Sequence, residues 1–185
     1  MRTLVTTIPF ADKDSRPLQS LEQAGAEVVI NPLGRKLTEA DLAGMIADFE
    51  VLIAGTEPIT ENVIERASQL KLIARVGIGL DSVDLLAARR RNIAVSYTPD
   101  APSPAVAELT IGLMIDLLRS AHISNLRMHQ GKWYRYFGRR LSRVTIGIIG
   151  LGRIGTRVIS HLFGFQCSRI MVNDVDPDVS TPHHP

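Results

Sequence analysis

The sequence predicts an α/β fold in two parts, each built on parallel strands. Three observations predict it. Short β-branched runs alternate with helical patterns over the first hundred residues; three prolines between Tyr97 and Pro104 break that rhythm; a strand–helix–strand pattern then restarts at Val144.

Thr3–Ile8 reads as the first strand, followed by a helix over Leu18–Ala24 that stops at Gly25. Glu27–Ile30 is the second strand, and Thr38 is placed to cap a helix running through Leu42 and Ile46. Val51–Ala54 is the third strand, with Thr60 capping a short helix through Ile64. Leu72–Val76 is the fourth, with Asp81 or Ser82 capping a helix that ends in Arg89, Arg90 and Arg91. Cations suit that end of a helix. Ile93–Ser96 completes the first part. These strands are apolar on both sides, as parallel strands covered by helices must be.

The prolines at 99, 102 and 104 mark an interdomain crossing. Ser103 then reads as an N-cap with Pro104 first in the helix. That helix reaches at least Leu118 and is apolar nearly all round, which predicts burial on more than one side. After a loop carrying Gly131, Trp133 and Gly138 come a strand at Val144–Ile149, a helix at Arg153–Phe163 and a strand at Arg169–Val172. The predicted domains are residues 1–98 and 99–177, with 178–185 a disordered tail.

Bulk properties narrow the function. The chain has 185 residues, 45% hydrophobic and 22% charged, and a net charge of +2. That balance gives no expectation of nucleic acid or a membrane surface as partner. The Arg139, Arg140 and Arg143 cluster reads as solvated loop. A single cysteine, Cys167, fits a reducing compartment, and the first residues lack the apolar run of a signal peptide, so a cytoplasmic location is expected. The two histidines near the C-terminus, His183 and His184, read as tail; no metal is expected.

The informative feature is the turn at 150–155, GLGRIG. A G-x-G-x-x-G run between a strand and a helix gives each glycine a task. Gly150 permits the tight turn, Gly152 lets a pyrophosphate approach the backbone, and Gly155 lets helix and strand pack closely. The helix N-terminus, with the N–H groups of Leu151, Arg153 and Ile154 nearby, attracts the phosphate charge, and Arg153 can add a cation. Asp174 follows the next strand, 174 − 155 = 19 residues after the last glycine. A carboxylate roughly 20 residues on accepts hydrogen bonds from the adenosine ribose and disfavours a 2′-phosphate. The expected cofactor is therefore NAD. Asp176 can share the role.

Six segments then resemble the D-isomer-specific 2-hydroxyacid dehydrogenases, the family that includes D-3-phosphoglycerate dehydrogenase. They are residues 53–60 (IAGTEPIT), 74–84 (ARVGIGLDSVD), 93–99 (IAVSYTP), 106–112 (VAELTIG), 131–133 (GKW) and the glycine turn. The resemblance implies a flavodoxin-like parallel-sheet substrate domain followed by the start of a Rossmann NAD-binding domain. It implies hydride transfer between NAD and a 2-hydroxy or 2-oxo acid, phosphoglycerate- or hydroxypyruvate-like. It also implies that Arg75, Val76, Gly77 and Ile78 line the substrate cleft, with the N–H groups of Val76 and Gly77 meeting the carboxylate. Arg75 can add a charged contact or sit in a surface salt bridge. Ile78 stands where some members have a smaller polar residue. The 103–118 helix resembles the element through which the family dimerises, so a homodimer is expected.

In that family the catalytic arginine, carboxylate and histidine come later in the cofactor domain, and this sequence ends before all three. The expectation is a truncated chain, inactive alone, with two of about six nucleotide-domain strands and no assigned catalytic residue. His122, His129 and His161 show no evident carboxylate partner in the sequence. The alternative reading is a non-catalytic, corepressor-like NAD-binding regulatory protein, since fold does not dictate function.

Overall fold

The computed structural model describes residues 1–179. The chain divides into two units, Met1–Ala101 and Pro102–Pro185. Most of the expected tail, with His183 and His184, lies outside the described residues.

The first unit alternates strand and helix: β1 (Arg2–Val5), α1 (Arg16–Gln23), β2 (Glu27–Ile30), α2 (Glu39–Met45), β3 (Val51–Ala54), α3 (Glu61–Arg66), β4 (Leu72–Arg75), α4 (Leu85–Arg90) and β5 (Ala94–Tyr97). All neighbouring strands pair in parallel, in the order β2-β1-β3-β4-β5. That is the flavodoxin-like order, with its switch point between β1 and β3.

Side chains alternate between the two faces of the sheet. Leu4, Leu52 and Ile73 lie in register across β1, β3 and β4 and join Leu42, Ile46, Ile59 and Ile64 in the main core. Their neighbours Val5, Val51 and Ile53 face the other way and pack with Phe10, Leu21 and Val28. Both faces are thus filled, which is why the strands read as continuous apolar runs. Emptying one central position, as in Leu52→Ala, costs about 2–5 kcal/mol in a core of this kind.

The helix starts follow local hydrogen bonding. Thr38 and Asp41 form a reciprocal capping box at α2, with the Thr38 N–H donating to Asp41 at 2.8 Å. Thr60 precedes α3, but its hydroxyl donates to Glu39 at 2.8 Å instead of capping. The cap of α4 is neither Asp81 nor Ser82. It is Asp84, whose carboxylate accepts the Ala87 N–H at 2.8 Å. Val83, after a turn at Asp81–Ser82, bridges Ile59, whose N–H donates to Ser82 and whose carbonyl accepts from Asp84. The helix cannot begin until that bridge ends.

The second unit holds α5 (Ser103–Arg119), α6 (Ala121–His129), β6 (Thr145–Ile149), α7 (Arg153–Phe163) and β7 (Arg169–Asn173). β6 and β7 pair in parallel from Thr145↔Arg169 to Ile149↔Asn173. Pro102, not Ser103, is the N-cap of α5, and the buried Ser103 hydroxyl has no partner. A helix that starts one residue early leaves that hydroxyl at N1, past the capping position. Ala107 and Ile111 of α5 pack with Ile146, Ile148, Val158 and Leu162. The expected burial on several sides is not found among the described residues: Leu109, Leu113 and Leu117 are 61%, 53% and 71% exposed. Ser120, at positive φ, ends α5 and opens α6. Among the described residues no helix is long and apolar enough to cross a membrane.

Candidate functional site

In the second unit the ladder of β6 and β7 extends into the glycine turn, because the Gly150 N–H donates to the Asn173 carbonyl at 2.8 Å. Gly150 then turns with φ +94°, a conformation that only glycine adopts easily. Gly152 caps α7 in extended geometry, and a Cβ added there would meet nothing within 4 Å. A Cβ on Gly155 would collide with the Gly150 carbonyl oxygen. One glycine therefore serves the turn, one leaves the space above it open, and one serves packing.

Leu151 is buried in the core, so the turn is anchored from below. Its carbonyl accepts the Thr156 hydroxyl at 3.2 Å, and its N–H donates to the Asp174 carboxylate. Asp174 also accepts the Asp176 N–H at 3.0 Å. Hydrogen bonds from the Asp176 and Leu151 N–H groups hold the Asp174 carboxyl below its ordinary range. Asp176 thus supports Asp174 through its backbone. Arg153 is exposed in the first turn of α7, with no ion-pair partner among the described residues. These features fit a dinucleotide: a helix N-terminus, an open approach at Gly152 and an ionised acid at the end of the second strand.

In the first unit the candidate strip follows β4. Gly77 takes φ +145°, and the Arg75 guanidinium lies over it, bonded to the Val76 carbonyl. The Arg75 Nε is buried without an acceptor. The two N–H groups assigned to a carboxylate are already engaged. Val76 donates to Ala54 at 2.9 Å, extending the β3–β4 ladder, and Gly77 donates to the Thr98 hydroxyl at 2.9 Å. Thr98 in turn donates its own N–H to Gly77 at 3.1 Å. The N–H groups of Ile78 and Gly79 meet no acceptor among the described residues. Thr98, unremarked in the sequence, fixes this turn.

A cavity of about 150 Å³ opens at the carboxyl ends of β1, β3 and β4, where Thr7, Lys36, Glu57 and Val76 meet. Glu57 is 1% exposed, and sequence reasoning did not single it out. The histidines correct one expectation. His122 Nδ1 lies 2.8 Å from Asp116, which also accepts the His122 N–H at 2.7 Å. The pair stitches α6 to the end of α5. His129 is bonded to the Asn125 carbonyl at 2.9 Å on its own helix. Burial pushes the Cys167 thiol up, which disfavours the thiolate.

Comparison with known proteins reaches nearly the whole chain. The family model for the D-isomer specific 2-hydroxyacid dehydrogenase catalytic domain matches residues 4–181. The D-3-phosphoglycerate dehydrogenase of Methanocaldococcus jannaschii is 41% identical over 133 residues, 70% of this chain and 25% of that protein. The hydroxypyruvate reductase of Thermotoga maritima is 34% identical over 149 residues, 79% of this chain and 49% of that protein. The chain thus spans a quarter to a half of these curated relatives. Among solved structures, the TT0316 protein from Thermus thermophilus superposes with TM-score 0.87 at 33% identity, covering 98% of this chain and 59% of that one. The cofactor (NAD+)-bound 3-phosphoglycerate dehydrogenase of Entamoeba histolytica superposes with TM-score 0.76 at 31% identity, covering 98% and 55%.

Proposed function

The chain belongs to the D-isomer specific 2-hydroxyacid dehydrogenases, and on that premise we propose that it binds NAD in its second unit and a 2-hydroxy or 2-oxo acid in its first. The observation that carries this reading is the glycine turn tied to Asp174 through the Leu151 N–H. A related 3-phosphoglycerate dehydrogenase is NAD+-bound in its solved structure.

In this reading Gly150, Leu151, Gly152, Arg153, Ile154 and Gly155 cradle the pyrophosphate, with Arg153 adding positive charge. Asp174 accepts the ribose hydroxyls and repels a 2′-phosphate, favouring NAD over NADP. When bound, NAD supplies the site that accepts or returns a hydride at C2 of the acid. The Ile78 and Gly79 N–H groups receive the substrate carboxylate in place of those of Val76 and Gly77. Arg75 turns its unpartnered Nε toward the same anion.

No residue of the chain is assigned as acid–base catalyst, because His122 and His129 are committed to helix contacts and His161 is exposed near the C-terminal end of α7, away from the glycine turn. We propose accordingly that the 185-residue chain binds its ligands without turnover. The exposed leucines of α5 form the homodimer contact, and the protein works in the cytoplasm. Calorimetric titration with NADH and NADPH tests the central point. NADH binding at least tenfold tighter is expected, and equal binding, or none, removes the reading.

A further inference from the structure

Glu57 is a buried carboxylate that the reading above does not use. It follows β3 and is 1% exposed. Its Oε1 accepts the Gly55 N–H at 3.1 Å and is bonded to the Thr6 hydroxyl. Among the described residues it pairs with no cation, although buried acids are ordinarily paired. The local chain is shaped around it: a Cβ on Gly55 would sit 2.9 Å from Glu57 Oε2 and 3.2 Å from the Thr7 backbone. Oε2 carries no hydrogen bond from the protein, yet Glu57 lines the 150 Å³ cavity together with Thr7, Lys36, Thr56 and Val76. That cavity lies at the carboxyl ends of β1 and β3, where the strand order reverses. Open α/β sheets bind ligands at such a point.

We propose that this cavity seats the C3 end of the acid, and that Glu57 Oε2 accepts a hydrogen bond from a C3 hydroxyl. The inference rests on the substrate-binding reading above and narrows it to three-carbon acids with a free 3-hydroxyl. A 3-phosphate would bring a dianion against a carboxylate screened from water, where like charges repel most strongly. Lys36 lines the same cavity, but it is exposed, and water weakens its pull on an anion. The buried charge therefore decides the preference. An acid with a methyl group at C3 displaces water from Oε2 without offering it a donor and is rejected as well.

The test is an amide NMR titration of the full chain with D-glycerate, D-lactate and 3-phospho-D-glycerate, and with NADH in parallel. D-Glycerate should shift the amides of Thr6, Gly55 and Thr56 and bind roughly tenfold or more tighter than either analogue. Glu57→Gln should narrow the gap to 3-phospho-D-glycerate at least threefold. The exposed Lys36→Ala variant should leave the ratio within threefold and does not threaten folding. Equal or tighter binding of the phosphorylated acid, an unchanged ratio in Glu57→Gln, or a ratio set by Lys36 overturns the proposal. So does the absence of any acid binding. If NADH still perturbs the glycine turn in those cases, the cofactor reading survives; if NADH and all three acids fail, that reading falls with it.

Discussion

The carboxylate of Asp174 accepts the backbone N–H of Leu151, although the two residues lie 23 positions apart. The acid proposed to hold the ribose therefore also fixes the loop proposed to hold the pyrophosphate. Replacing Asp174 removes both effects together. Asp174→Ala should weaken NADH binding by about tenfold or more, the weight of a charge-assisted hydrogen bond. It should also raise NADPH relative to NADH, because the charge that repels a 2′-phosphate is gone. Paired titrations of both cofactors check this, and an unchanged ratio counts against the assignment.

Two glycines of the same turn separate folding from binding. Gly155→Ala forces a methyl group into the Gly150 carbonyl, so the second unit should lose about 2–3 kcal/mol of stability, the usual range of severe overpacking. Gly152→Ala meets no neighbour and needs no unusual φ, so only the weaker capping of α7 by alanine should tell, about 0.5–1 kcal/mol. Its added methyl group stands where the pyrophosphate must approach, and NADH binding should fall sharply. Urea unfolding alongside NADH titration distinguishes the two variants.

The parts visible in the sequence were those set by neighbours along the chain. The glycine turn, the Thr38 cap and the strand periodicity all depend on residues within a few positions, and the structure reproduces them. Features set by distant pairing were not visible. Asp84 replaced Asp81 and Ser82 as a cap because those two form a turn and Val83 is then bridged to Ile59. The His122–Asp116 pair depends on the break between α5 and α6 at Ser120, a residue type that rarely adopts positive φ. Glu57 was not singled out, since only the fold brings Thr6, 51 positions away, against its carboxylate. An acid three residues after a fully buried strand, following Gly55-Thr56 and preceding Pro58, is the signal that could have marked it.

Acid sensitivity of the first unit should centre on Asp41. Its carboxylate is held well below the ordinary range, first by Arg35 at 2.8 Å and then by the Thr38 side chain and N–H. A carboxylate whose folded-state pKa is depressed stabilises the fold above its unfolded value of about 3.9. That contribution fades as pH falls below this value toward the folded pKa. Asp41→Asn should therefore lower the urea midpoint at pH 6 and leave a flatter profile between about pH 4 and pH 2. Circular dichroism melts at several pH values measure both, and parallel profiles for wild type and variant would exclude the role.

The last prediction concerns α5. Ala107 and Ile111 face the core, so Leu109, Leu113 and Leu117, spaced four residues apart, form an exposed apolar row on another side. Burying one leucine of such a row contributes about 1.5–3 kcal/mol, so a pair of copies sharing it gains at each end. If the row is the proposed homodimer contact, light scattering should give a dimer mass at micromolar concentration. Leu113→Lys should then shift the mass to the monomer without changing the melting of the isolated fold, since Leu113 is 53% exposed within one chain. A wild-type chain that stays monomeric at high concentration removes the contact. A Leu113→Lys variant that remains dimeric moves it to another face.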